Sequence, residues 1–322
     1  MRRVIAVILA VLGVILIAAA ILLPTWVPGQ FIKFPLSENE TAILTGSNAS
    51  YFSAATLKEQ TGVTIQATYT IKGDPGKGSS STAVWDETSS VYDTTNHRSI
   101  EQMTRTLAFD RRTGQLVDCC GANVNGNASI RQSGLAGYVF PFGTQKQTYL
   151  VFDTTLDRPL PFVYAGTATV GGIQTYEFVE NVAATQIATQ QVPGSMLGSK
   201  TAVIRAPEFD QQHLIYYVDP ETGALLDVNE QQTVTLRNPA TGAVALVLYD
   251  ADLTATPASL QQIVGLDSSG RSTIALVETT LPIVFGVAGG IALLASVFLG
   301  FRGRRARADT AELAGVTGTA DR

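Results

Sequence analysis

Apolar and polar positions divide the chain into three parts: an unbroken apolar run at each end and a long alternating segment between them. Residues 4–23, VIAVILAVLGVILIAAAILL, contain no polar side chain. A helix of roughly 20 such residues, rising about 1.5 Å each, crosses the hydrocarbon core of a bilayer. Residues 281–301, LPIVFGVAGGIALLASVFLGF, form a second run of spanning length without a charge. A cleaved leader competes for the first run, because Arg2 and Arg3 precede it and Ala18, Ala19 and Ala20 are small. Leader cores run only about 7–15 residues, and here Ile21, Leu22, Leu23 and Pro24 follow the small residues. The first run therefore reads as an uncleaved anchor.

Between the anchors the period changes to two. Val63, Ile65, Ala67, Tyr69 and Ile71 place apolar side chains on one face of a strand, with Thr64, Gln66, Thr68 and Thr70 on the other. The glycine, proline and serine of residues 73–81 predict a turn before Ala83, Val84 and Trp85 resume a strand. Residues 109–118, FDRRTGQLVD, and 218–227, VDPETGALLD, repeat one pattern, and residues 237–245, RNPATGAVA, echo it. Asp-x-x-Thr-Gly predicts a hairpin, because the Asp side chain bonds backbone amides within the turn and the Gly accepts positive φ. Further hairpins are expected across 163–179 around Gly171 and Gly172, and across 214–236, with a strand at 244–249. Helical patterning returns at 259–264 and 273–277, running towards Pro282. The middle of the chain is thus expected to be an antiparallel β-rich domain, sandwich or barrel-like, in one lobe or two, flanked by N- and C-terminal transmembrane helices.

Charge sets the expected topology. Arginines flank the two runs on their outer ends, at Arg2 and Arg3 and at Arg302, Arg304, Arg305 and Arg307. The positive-inside rule then puts both termini in the cytoplasm. The expected organisation is a cytoplasmic start at 1–3, a helix at 4–23, an extracytoplasmic domain at 24–280, a helix at 281–301 and a cytoplasmic basic tail at 302–322. Gly286, Gly289 and Gly290 in the second run would let another helix approach closely. Of the 322 residues 45% are hydrophobic and only 15% charged, so part of the apolar surplus must face lipid. A net charge of −5 excludes nucleic acid as an expected partner, since phosphate binding needs a basic stripe.

The remaining chemistry is sparse. Cys119 and Cys120 are adjacent, in a segment expected to face an oxidising compartment, and are candidates for a vicinal disulfide. Neighbouring Cα atoms lie about 3.8 Å apart, below the usual disulfide range. No Gly-x-Ser-x-Gly elbow occurs, His97 and His213 read as strand-end residues, and Lys77 lies among glycines without the Gly-Lys-Ser/Thr of a phosphate loop. The aspartates of the hairpin turns lack the alternating acidic pattern of a calcium loop. The expectation is a protein that is not an enzyme and carries no metal and no cofactor. Tyr138, Phe140, Phe142, Tyr149, Phe152, Phe162 and Tyr164 crowd one stretch; they suit a β-sheet core and also the lining of a lipid cavity.

Five segments together resemble the porin-PorA-like family of actinobacterial envelope proteins, a domain of unknown function: PLSENETAILTG (35–46), DCCGANVNG (118–126), SGLAGYVFPFGTQKQTYLVFD (133–153), YYVDPETG (216–223) and LPIVFGVAGG (281–290). The resemblance covers nearly the whole chain and implies a cell-envelope location, with a part in handling envelope glycolipids for some relatives. The layout is also similar to that of scavenger-receptor lipid-tunnel proteins with two helices, as an analogy of architecture. A plasma-membrane protein whose ectodomain binds or passes lipid or glycolipid is the leading expectation. A scaffold or sensor docking envelope-assembly proteins is the alternative, and a pore is the least expected, because outer-membrane barrels lack spanning helices.

Overall fold

The computed structural model describes residues 2–316, without the side chains of 2, 3 and 300–316. The expected topogenic arginines, Arg2, Arg3, Arg302, Arg304, Arg305 and Arg307, fall outside the described side chains, and the last six residues of the expected tail fall outside altogether. The chain forms two compact units, one of residues 1–33 with 270–322 and one of residues 34–269.

The first unit holds helix α1 (Arg2–Phe31) and helix α3 (Leu281–Val316). Two stretches, Val4–Phe31 and Pro257–Leu299, are long and apolar enough to cross a membrane. Only 6% and 11% of their most apolar windows are buried, whereas the core helix of a globular domain would be mostly covered. Helix α1 extends past Leu23, where the apolar run ends, and takes Pro24 and Pro28 into its interior. Proline is tolerated in membrane helices, and next to Pro24 the Thr25 side chain folds back on the helix, its Oγ1 donating to Ile21 O at 3.1 Å. The helix expected to run towards Pro282 continues through it. A π-helical turn, Leu276–Thr280, joins the preceding helix to α3, which carries Pro282 in its first turn. Of the candidate glycines Gly289 makes the close approach: a Cβ there would lie 2.9 Å from Gly13 O and 2.9 Å from Ile17 Cγ1. The two long helices therefore touch backbone to backbone, a contact only small residues permit.

The second unit is one antiparallel sheet. Its strands are β1 (Asn39–Ser53), β2 (Lys58–Gly73), β3 (Thr82–Asp93), β4 (Arg98–Asp110), β5 (Asn123–Val124), β6 (Tyr149–Asp153), β7 (Arg158–Val170), β8 (Ile173–Pro193), β9 (Val203–Val218), β10 (Leu225–Arg237) and β11 (Val244–Ala255). Their order is β5-β4-β3-β2-β1-β11-β10-β9-β8-β7-β6, a meander whose first and last long strands pair in the middle. Between the sandwich and barrel-like possibilities, the chain adopts a curled sheet, a half-barrel. Two short extended segments then bridge β4 to β6: Val117 N donates to Ala108 O, Leu116 N to Gly134 O and Leu135 N to Leu150 O, at 2.7–2.8 Å. The sheet's edges are thereby paired instead of being left as templates for aggregation.

Local chemistry explains the turns. Asp110 Oδ1 accepts from the amides of Arg112 and Thr113 at 2.9 Å, Asp219 Oδ1 from Glu221 N at 2.8 Å and Asn238 Oδ1 from Ala240 N at 2.9 Å. All three Asx-x-x-Thr-Gly repeats are therefore the same hairpin turn. In two of them the glycine has a second duty: a Cβ on Gly223 would lie 2.1 Å from Phe140 O, and one on Gly114 2.6 Å from Val139 O. A second family of turns has its own signature, Asp-Thr-Thr-x-x-Arg at 93–98 and 153–158. Asp93 and Asp153 cap these turns, and His97 and Asp157 take positive φ in the corresponding place.

Helix α2 (Pro257–Ala275) starts on the sheet. Ser259 Oγ accepts from Ile43 N at 2.8 Å, and Thr222 Oγ1 donates to Asp267 Oδ1 at 2.5 Å. Val264 fills the space above Gly171.

Candidate functional site

The inner face of the curled sheet carries polar groups where a simple β core would carry aliphatic ones. Trp85 and Glu87 on β3, and Arg105, Leu107 and Phe109 on β4, point inward in phase. Glu87 and Arg105 are both about nine-tenths or more buried, at 3% exposure each, and lie 3.4 Å apart. Arg105 Nε also donates to Gln132 Oε1 at 2.7 Å, Nη1 donates to Ala136 O at 3.3 Å, and Tyr138 donates to Glu87. This wall is internally neutral.

The opposite wall is built differently. Register across β8, β9 and β10 aligns Glu180, Leu214 and Glu230 on one rung, and Val182, Gln212 and Gln232 on the next. Strands lie about 4.8 Å apart, so the two carboxylates of the first rung flank Leu214 at roughly 10 Å. Asp210 is fully buried and accepts from Gln212 Nε2 at 2.6 Å and from Gln232 Nε2 at 2.9 Å. Glu230 accepts from Tyr69 OH at 3.1 Å, across from β2. Glu180 is 1% exposed, and its Oε2 has no hydrogen-bond partner.

Electrostatics follow from this arrangement. Burial, and then Asp153 and Asp210, push Glu180 up to about 7. Burial also raises Glu230, partly offset by the Tyr69 hydrogen bond and reinforced by Asp153, Glu101 and Asp210. Asp210 is raised by burial, with Gln232 and Gln212 opposing. None of the three ion pairs among the described residues involves Glu101, Glu180, Asp210 or Glu230. The phenols of Tyr69, Tyr216 and Tyr249 are raised by burial and by Glu230. Tyr69, Tyr216 and Glu230 are each half-buried on the inner face of the curled sheet.

The seven aromatic candidates divide among three surroundings. Phe140, Tyr149, Phe162 and Tyr164 gather around Phe178, with Phe140 stacked on it at 5.3 Å and Tyr149 edge-on at 5.6 Å. Phe142 stacks on Phe34 at 4.5 Å in a separate cluster with Trp85 and Phe109, against which Tyr138 also packs. Phe152 lies under the Arg105 guanidinium at 5.3 Å. The lower part of the sheet thus owes its solidity to these rings. The acids of the inner face were the residues missed from sequence, although they left a signal: Glu180 is in phase with Phe178 and Val182, and Glu230 with Leu226 and Val228. A charge on the apolar phase of a strand marks an inward polar group.

Cys119 and Cys120 are bonded to each other, with Cα atoms 3.8 Å apart. Both are exposed, on the loop between β4 and β5, and Cys120 takes φ +62°. They stand apart from the inner face.

Comparison with curated proteins finds no match. A family model described as Porin PorA matches residues 5–298, from the first turns of α1 almost to the end of the second apolar run. With that match over nearly its whole length, this two-helix, curled-sheet membrane protein belongs to the Porin PorA family.

Proposed function

We propose that the chain is a non-enzymatic cell-envelope protein that binds or passes an amphipathic lipid or glycolipid in its curled sheet. In this reading the two helices sit in the plasma membrane, both ends of the chain face the cytoplasm, and the sheet stands outside. The observation that supports it most is the mixed inner face. Tyrosine rings and carboxylates, suited to sugar hydroxyls and polar headgroups, stand half-buried on that face beside apolar clusters suited to an acyl chain. Lipid extraction and native mass spectrometry of the detergent-purified full chain test it. Leu214→Trp, which fills the rung between Glu180 and Glu230, separates inner-face lipid from lipid around the helices. The expected result is a retained species lost in Leu214→Trp; equal retention in both proteins would count against the reading.

A second reading, a passage for ions, is favoured by the inward acids and the family description. Planar-bilayer recording of the full chain separates the two. Lipid binding alone predicts no conductance, and cation-selective steps would favour passage.

A further inference from the structure

The carboxylates of Glu180, Asp210 and Glu230 stand on β8, β9 and β10 without a Lys or Arg paired to any of them among the described residues, whereas Glu87 on β3 has Arg105. An anion withdrawn from water is unfavourable unless a positive charge or a proton accompanies it. A second observation is independent of the acid count: Glu180 is 1% exposed and its Oε2 lacks any hydrogen-bond partner. The neighbouring side chains include phenols: Tyr69 OH donates to Glu230 at 3.1 Å, Tyr216 stands opposite Val228, two residues from Glu230, and Tyr249 stands opposite Val234 farther along β10. Ring faces beside a carboxylate are the surroundings an ammonium group prefers, because the ring quadrupole and the anion attract it together. The sheet already contains one such contact: Lys146 Nζ lies 5.3 Å from the Tyr176 ring and 5.7 Å from that of Tyr164. A bare metal ion is a poorer fit, since among the described residues no group of His, Cys, Asp or Glu side chains converges closely enough to hold one.

We infer that the space bounded by Glu230, Tyr69, Tyr216 and Tyr249 is a binding site for an ammonium group carried by a ligand, with Glu180 supplying a second negative charge behind it. The inference rests on the reading that a ligand enters the curled sheet, and it does not require that ligand to be a lipid. Asp153 and Asp210 act on both Glu180 and Glu230 and add to the negative potential there. Ammonium binding favours the ionised carboxylates, so it strengthens as pH rises and it releases protons.

Isothermal titration of the full chain in a neutral maltoside detergent with butylammonium chloride tests the site, with potassium chloride and butanol as comparison ligands. Saturable butylammonium binding is expected, at least tenfold weaker in Glu230→Gln, at least threefold weaker in Glu180→Gln, and tighter at pH 8 than at pH 6. Absence of saturable heat, an equal response to potassium, or unchanged affinity in Glu230→Gln would overturn it. Should Glu230→Gln fail to fold, as judged by far-ultraviolet circular dichroism, the Glu180→Gln affinity and the pH trend decide. Butylammonium binding in a protein that retains no lipid would uphold this site and defeat the lipid reading. Retained lipid with no butylammonium binding would do the reverse.

Discussion

The two walls of the curled sheet handle buried charge in opposite ways. On β3 and β4 the carboxylate of Glu87 meets the Arg105 guanidinium and Tyr138, Gln132 accepts from Arg105 Nε, and the charge is balanced in place. On β8, β9 and β10 Glu180, Asp210 and Glu230 meet one another's fields, with glutamines and a tyrosine as donors and no cation. The first arrangement is explained by the fold alone, since removing either partner would strand the other. The second lowers stability, and a feature that lowers stability is best understood through what it binds.

The largest effect should come from breaking the balanced wall. Arg105→Met leaves Glu87 buried without its cation and should cost about 3–5 kcal/mol, read by denaturant unfolding of the detergent-solubilised chain. A cost near zero would mean that the two walls do not differ. The next effect has the opposite sign. Glu180 moves from an ordinary 4.5 to about 7 on folding, so the folded state holds its proton more tightly than the unfolded state does. Its burden is absent below about pH 4.5, grows as pH rises, and is complete above about pH 7. At about 1.36 kcal/mol per unit, Glu180→Gln should therefore stabilise the protein at pH 8 by about 3 kcal/mol and leave it unchanged at pH 4. Melting temperature followed across pH in both proteins checks the sign, and a destabilised variant at pH 8 would show that the ionised carboxylate has a partner.

Smaller effects sharpen the contrast. Tyr69→Phe removes the phenol donor to Glu230 and should cost about 1 kcal/mol; it should also make Glu230 harder to ionise, visible as weaker butylammonium binding at neutral pH with a steeper pH dependence. The exposed cysteine ring serves as the reference. Replacing Cys119 and Cys120 by Ser together should change stability by less than about 0.5 kcal/mol, since both lie on the surface away from either wall. Intact-mass alkylation of the unreduced wild-type chain should find no free thiol.

What was legible in the sequence was local. The alternation of Val63 to Ile71, the Asx-x-x-Thr-Gly hairpins and the two apolar runs each carry their signal within a few residues, and each forms as read. Helix ends were less legible, because Pro24, Pro28 and Pro282 lie within helices that a local reading of proline would end. The Asp-Thr-Thr-x-x-Arg turns repeat in the sequence at 93–98 and 153–158, without a glycine to mark them. Curling of the sheet depends on β1 pairing β11 and on Leu135 bridging to β6, contacts remote in sequence. The acid wall exists only once that curling has brought Tyr69 of β2 to Glu230 of β10, so its residues could be flagged singly by phase but not assembled into a site.

Accessibility and sign of potential at the inner face are measured together by thiol labelling. In a chain carrying Cys119→Ser and Cys120→Ser, Gln232→Cys places one thiol beside Asp210 on the inner face. Cationic trimethylammonium-ethyl and anionic sulfonato-ethyl thiosulfonates then compete for it. The expected result is labelling by the cationic reagent at least about tenfold faster than by the anionic one, with the difference shrinking at high salt. A thiol that neither reagent reaches, or that both label at equal rates, would contradict an open, negatively charged interior.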